Sequence, residues 1–472
     1  MNEKLSFGKV FVLGFALFAM FFGAGNLIFP PALGIVTGTN WLVSFLVYIL
    51  ADAGLAILAL LAFFRCQEGF QNSISIQLDK TTSFLLILFN TLCIGPFIAI
   101  PRTAATTFDI AVKPLLGATV PGWASWAVGG ICFALVLILC LRPGKVVDII
   151  GKVLSPTMFV ALLVLIALGI IHPLGKVAPG VSVMGAVKLG LESGYQTMDM
   201  LGSLLFAVVT LTSVRQAGIN SPKKQFHLVA LAGLVAAFAL FVVYGGLTFL
   251  GASISGERGL AANALNDRAG LLVLIVRRLV GPWGTLLLGF IVTAACLTTS
   301  IGLASACSQN IEELTHGKLP YRPVLIAIIL FSYVMSNLGT TAILNIAGPI
   351  LNVIFPVFIM LVILSFLPRR INQETYSAPY GALCAFIVTV LTEIGGYIQP
   401  LKLLMARLPL ASVGLGWLFP PCWRRPWARS WAHSCLGSIA PSTRKRNNIL
   451  PLPCGGALLC VKDRDILNVS IL

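Results

Sequence analysis

An all-helical integral membrane protein is the fold class this sequence predicts, and three observations predict it. Apolar residues make up 58% of the 472-residue chain and charged residues only 10%, against about 25% charged in a soluble domain. The mean hydropathy is +0.95. The apolar residues also fall in long continuous runs rather than in alternation. A hydrocarbon core about 30 Å thick takes about 20 residues of helix. Only helices and closed barrels satisfy every backbone N–H and C=O in lipid, and continuous runs exclude the alternating strands of a barrel.

Bounded by charge, Pro and Gly, the spans are predicted at about 8–29, 41–64, 82–101, 122–141 and 152–171, then 187–213, 227–250, 281–308, 322–337 and 342–367. Two more are expected at about 380–396 and from near 408. The first run follows Lys4 and Lys9 and reaches Phe29, with many runs behind it, so it reads as a span rather than a signal peptide.

The formal charge is +16, but the Lys and Arg residues sit between apolar runs, which is a topology pattern rather than a nucleic-acid surface. With the N-terminus in the cytoplasm, Lys4, Lys9, Arg65, Lys80, Arg142, Lys145, Lys152, Arg215, Lys223, Lys224, Lys318, Arg322, Arg369 and Arg370 all lie inside. The outer side then carries Arg258, Arg268, Arg277 and Arg278 in its longest loop, where charge controls topology least. Cys93, Cys132, Cys140 and Cys296 lie in apolar runs and read as small packing residues, and His172, His227, His316 and His433 are dispersed. Neither a cofactor nor a transition-metal site is expected.

Candidate chemistry lies where helices break. An odd number of spans per half puts two related halves in opposite orientations, the geometry of inverted-repeat transporters. The first span holds Gly23, Ala24, Gly25 and Asn26 before Phe29-Pro30-Pro31, and each Gly weakens a helix by about 1 kcal/mol relative to Ala. An opened helix offers N–H groups to a carboxylate and carbonyls to a cation; close helix packing by small residues is the alternative. The sixth span supplies the companion, Gly194-Tyr195-Gln196-Thr197-Met198-Asp199-Met200-Leu201-Gly202. An ionised Asp199 at the bilayer centre costs about 2.5–3.5 kcal/mol unless paired; a helix cap or interfacial acid is the other reading. In the eighth span Cys296, Thr299 and Ser300 share a helix face, as hard oxygens for sodium or as hydroxyls bonded back to their own helix.

The third span ends with Pro96, Pro101 and Arg102, the two prolines bending or breaking the helix. Arg102 reads as a gating cation facing Asp109 or Asp199, or as an interfacial anchor. Asp52, alone in an apolar span, can relay protons or pair with a neighbour.

At these motifs the chain resembles the branched-chain amino acid:cation symporter family. The matching segments are Phe22 to Pro31, Gly95 to Phe108, Gly194 to Gly202, Ala295 to Cys307, Ser336 to Gly339 and Arg407 to Leu410. The resemblance covers about residues 7–420. It implies about twelve transmembrane helices and a five-plus-five inverted-repeat core like that of the bacterial leucine transporter, with helices 1 and 6 discontinuous. It implies import of leucine, isoleucine and valine with Na+ or H+ across the bacterial inner membrane, and no enzyme activity. Carried across by motif position, Gly23, Ala24, Gly25 and Asn26 meet the substrate carboxylate or a nearby ion. Tyr195, Met198, Asp199 and Gly202 line the amino group and side chain. Carbonyls of Ala19 and Phe22, with Cys296, Thr299 and Ser300, form the sodium site. Asp52 lies outside the matched motifs. A same-fold carrier of another neutral amino acid or a nucleobase is the near rival. A channel is disfavoured because no polar stripe runs along several helices, and a membrane enzyme because no nucleophile or metal constellation is visible.

The transporter domain is expected to occupy residues 1–420, with repeats at about 8–171 and 187–367 and extra helices at about 380–420. After Pro420 the composition shifts: residues 421–472 hold three of the eight Trp and four of the eleven Cys, and Arg424, Arg425, Pro426 and Arg429 fall where a last helix is expected. This segment reads as a frameshifted C-terminus, or else as a basic tail drawn to anionic lipid.

Overall fold

Every long element of the computed structural model is a helix; it describes residues 7–65, 78, 80–117, 120–141, 155–216, 218–257, 264–366 and 377–418. The first apolar run forms α1 (Phe7–Phe21) and α2 (Ala24–Thr37), which meet at a 72° bend. The second forms α3 (Trp41–Ile49) and α4 (Leu55–Arg65), joined through a π-turn at Leu50–Gly54. The third forms α5 (Lys80–Leu92), α6 (Ala99–Thr107) and the short α7 (Lys113–Leu116), with π-turns at Cys93–Phe97 and Phe108–Val112. Then come α8 (Ala124–Cys140) and α9 (Ser155–Ile171).

The next run forms α10 (Val183–Thr197) and α11 (Asp199–Gln216), parted at Met198. It is followed by α12 (Pro222–Ser253), α13 (Arg268–Val280), α14 (Pro282–Leu314) and α15 (Tyr321–Ser336). The last helices are α16 (Thr340–Ser365), α17 (Ser377–Gly395) and α18 (Gln399–Met405). Where a span is expected from near 408, the described residues hold a 3-10 turn at Ala411–Val413. The reading of residues 421–472 falls outside the described residues, as do Lys4, Arg142, Lys145, Lys152, Arg258, Arg369 and Arg370.

Among the described residues, the runs α3–α4, α5–α7 and α10–α11, the helices α12, α14 and α16, and the bent α1–α2 pair are long and apolar enough to cross a bilayer, and four shorter apolar helices accompany them. The surface of α12 shows the solvent it is built for. Leu231, Leu234, Phe238 and Phe241 form an exposed stripe at helical spacing, while Leu228, Ala232, Ala236, Leu240 and Val243 are buried. A helix apolar on both faces belongs in lipid.

The first span does not stop at Phe29. Pro30 and Pro31 lie inside α2, which runs on to Thr37. Proline is tolerated in a membrane helix when neighbours take up the disruption, and here both prolines are buried against α12. Gly251 admits this approach, because a Cβ there would lie 2.0 Å from the Pro31 carbonyl oxygen. The far end of α2 is tied to the segment before α10 by an antiparallel bridge between Gly38 and Pro179 and by a 2.8 Å bond from Asn40 Nδ2 to the Val181 carbonyl.

Candidate functional site

The two interrupted helices bring their broken ends to one place. Gly23, between α1 and α2, has extended backbone (φ −116°, ψ −167°) that any residue adopts, so what glycine supplies there is space rather than φ. A Cβ on Gly23 would lie 3.1 Å from Thr299 Oγ1, and one on Gly25 would lie 2.9 Å from Arg102 Nη2. The N–H groups of Ala24, Gly25 and Asn26 open α2 and have no acceptor within their own helix.

At the second break Met198 adopts the left-handed conformation (φ 71°, ψ 11°), which costs a non-glycine residue roughly 1–2 kcal/mol. Its side chain is buried, so packing holds the strained backbone in place. The carbonyls that end α10 are free for outside donors. Arg102 takes them, Nη1 donating to the Gln196 carbonyl at 2.8 Å and Nη2 to the Thr197 carbonyl at 3.2 Å. A cation at a helix C-terminus is electrostatically matched. Arg102 is therefore a buried side chain of the core. Asp109 lies apart from it, in a separate cavity of about 460 Å³ shared with Lys113 and Asp267.

The π-turn places Asp52 at the same centre. Its Oδ1 accepts from Thr197 Oγ1 at 2.8 Å, and its Oδ2 accepts from Asn26 Nδ2 at 3.5 Å. Asn26 Nδ2 also donates to Asp199 Oδ2 at 2.6 Å and meets the Tyr244 hydroxyl. The Asp52 and Asp199 carboxyls thus both meet the one Asn26 amide nitrogen, and both residues are buried. Tyr244 is fixed in turn by stacking on Phe22, centroids 6.2 Å apart, and by an edge contact with Tyr48 at 5.3 Å.

The hydroxyl cluster of α14 divides between two neighbours. Thr299 Oγ1 donates to the Phe22 carbonyl at 3.4 Å, and Ala19 lies one turn earlier on α1. Ser300 Oγ pairs instead with Thr103 Oγ1 of α6 at 2.5 Å. Cys296 is buried, and Thr298, between them, bonds back to the Ala295 carbonyl at 2.8 Å. Pro96 sits at the kink of the third span, beside Gly95 with its non-helical ψ of −106°. Pro101 lies in the first turn of α6.

Gly23, Ala24, Asn26, Arg102, Met198, Asp199, Gly202 and Thr299 all border one central cavity of about 20 Å³, room for about one water. Its remaining wall is largely apolar, including Phe21, Ile94, Phe206 and Leu303. Tyr195 is turned away from it. Its ring stacks on Phe355 at 4.8 Å and borders a second cavity of about 310 Å³ with Glu192, Glu393 and Trp417. Three polar side chains of the centre, Thr103, Thr197 and Tyr244, were not singled out from sequence. The first two lie inside segments that carry the family resemblance, and Tyr244 is a polar aromatic in an apolar run.

Comparison with known proteins places the chain in a family. Residues 6–424 match the family described as branched-chain amino acid transport protein. The chain is 33% identical over 426 residues to the branched-chain amino acid permease BrnQ of Bacillus subtilis (strain 168), covering 89% of this chain and 96% of that protein. It is 35% identical over 418 residues to the branched-chain amino acid transport system 2 carrier protein of Pseudomonas aeruginosa, covering 86% and 92%. In fold it is similar to a nucleobase-cation-symport-1 family transporter solved closed with bromovinylhydantoin bound, with a TM-score of 0.58 and 12% identity over 90% of this chain and 93% of that one. A manganese transporter of Eremococcus coleocola is similar with a TM-score of 0.55 and 14% identity over 89% and 95%. A match along nearly all of the described fold, shared with relatives that are transport proteins and not enzymes, assigns the chain to the branched-chain amino acid transport protein family.

Proposed function

We propose that this protein imports leucine, isoleucine and valine into a bacterial cell across the inner membrane, in symport with Na+ or H+, by alternating access to the central cavity. The observation that carries the reading is the meeting of the open start of α2 with Asp199 and an apolar wall. A zwitterion needs partners for two charges, and the N–H groups of Ala24, Gly25 and Asn26 suit its carboxylate while Asp199 suits its ammonium. Its aliphatic side chain needs only an apolar surface such as Phe21, Ile94 and Phe206 provide. One methylene is worth only about 1–3 kcal/mol in such a pocket, so three branched side chains share one carrier. The cavity admits none of them at about 20 Å³, so the walls part during each cycle.

About twelve spans with the N-terminus in the cytoplasm and a five-plus-five inverted repeat complete the reading. The interruptions of the α1–α2 and α10–α11 helices, the first span of each half, support it. The Phe22 carbonyl and Thr299 hydroxyl are the candidate seat for sodium. One cation moving down about 100 mV supplies about 2.3 kcal/mol, roughly fifty-fold accumulation. The test is labelled leucine uptake into proteoliposomes under a sodium or a proton gradient applied separately. Uptake under at least one gradient is expected; no uptake of any branched-chain amino acid under either would overturn the reading.

A further inference from the structure

We infer that Asp52 and Asp199 together form a proton-binding site that holds one shared proton while substrate is bound and releases it as the central cavity opens toward the cytoplasm. This rests on the transport reading above and names the ion that this pair of acids carries.

The geometry supplies the first ground. Two buried carboxyls, Asp52 and Asp199, close on one amide nitrogen, Asn26 Nδ2, at 3.5 Å and 2.6 Å. Two ionised carboxylates so placed repel each other, and one proton on the pair removes the repulsion.

The second ground is the charge balance. The groups facing the pair are Tyr48 from α3, Asn26 from α2, Tyr244 from α12, Thr197 from α10 and Arg102 from α6. From α14 the nearest ionisable group is the Cys296 thiol, which neighbours Arg102. Lys188 and Glu192 of α10 pair with each other at 3.7 Å in exposed positions. Arg65 ends α4, about 20 Å along the span from Asp52, and Arg215 lies in the last turn of α11, about 24 Å from Asp199. Arg102 is the cation that acts directly on the pair; buried Arg268 of α13 sits instead over the Phe29 ring at 4.8 Å, and the two Arg102 Nη atoms are spent on the Gln196 and Thr197 carbonyls. Two carboxylates against one guanidinium leave the centre one positive charge short. A zwitterionic substrate adds none, so one proton makes the closed site neutral.

The donors around the pair favour a proton over a metal ion. Asn26 Nδ2 points its hydrogens at the acids, occupying positions where a metal ion requires lone pairs, and the single Thr197 hydroxyl hydrogen is shared between Asp52 Oδ1 at 2.8 Å and the Gly194 carbonyl at 2.5 Å. The site also joins three elements: Asn26 on α2, Asp52 in the π-turn and Asp199 at the α10–α11 break. Loss of the proton sets the two acids against each other and loosens all three at once. The coupling therefore has a sign, with protonation favouring the closed, substrate-holding form.

The experiment uses the purified full-length protein in weakly buffered solution with a pH indicator, titrated with leucine. Uptake of about one proton per leucine bound is expected, with leucine affinity falling about tenfold per pH unit above the titration midpoint. Asp52→Asn keeps the side-chain shape and is expected to abolish the proton uptake and flatten the pH profile. The wild-type measurement decides alone if that variant does not fold. Leucine binding without proton uptake from about pH 5 to 9 would overturn the inference while leaving transport intact, as would full proton uptake by Asp52→Asn. Absence of any leucine binding would instead sink the transport reading, and this inference with it.

Discussion

Asn26 and Asp199, 173 positions apart, are joined by a 2.6 Å hydrogen bond between the first turns of α2 and α11. One amide thereby ties together the second halves of both interrupted helices. The same nitrogen reaches Asp52 and the Tyr244 hydroxyl, so four elements converge on a side chain with two hydrogens to give.

Replacing that amide should be felt in substrate affinity. Asn26→Leu keeps the volume but strips the donor from two buried carboxyls, each worth about 1–3 kcal/mol when left unsatisfied. Leucine affinity measured by calorimetry should fall about 10- to 100-fold. A change of less than about twofold would mean that the tie is not part of the binding site.

Arg102 and Gly25 depend on each other. In Gly25→Ala the new Cβ would lie 2.9 Å from Arg102 Nη2, and the guanidinium can retreat only by releasing the α10 carbonyls. Arg102→Lys should act in the same direction, because one ammonium cannot reproduce a two-nitrogen fork. Initial rates of leucine uptake, at equal reconstituted protein, should drop about tenfold or more in both. Wild-type rates in Gly25→Ala would show that the close approach is dispensable.

The seam between α2 and α12 should tolerate even less. A Cβ on Gly251 would lie 2.0 Å from the Pro31 carbonyl oxygen, and one on Gly34 would lie 1.9 Å from the Thr248 carbonyl oxygen. Both obstacles are backbone and cannot rotate away. Gly251→Ala and Gly34→Ala should each cost at least the roughly 1–3 kcal/mol of an overpacked core, seen as a lower thermal midpoint in detergent. Gly122→Ala, with nothing within 4 Å, is the matched control and should melt with the wild type.

The breaks in the first and sixth spans were legible because their causes are local. Gly23, Gly25 and Asn26 weaken a helix whatever surrounds them, and Asp199 beside Met198 marks the second break. Asp52 was visible only as an isolated acid. Its partner Thr197 is 145 positions away, and nothing near it in sequence marks the π-turn that aims it. Pro30 and Pro31 misled in the other direction. Locally they end a helix, but burial against α12 carries α2 through them. Tyr195 shows why a motif fixes neighbourhood better than facing: a rotation at the end of α10 decides between the central cavity and Phe355, and only the packed structure sets it.

The π-turn at Leu50–Gly54 carries a consequence for how this chain can change over generations. It is one residue too many for a regular helix, and deleting any residue in it would turn α4 relative to α3 by about 100°. Asp52 would then face lipid or a neighbouring helix instead of Asn26 and Thr197. Loops can lengthen or shorten under selection without disturbing the centre, but this span cannot. A one-residue deletion here is therefore expected to cost the site as surely as replacing Asp52.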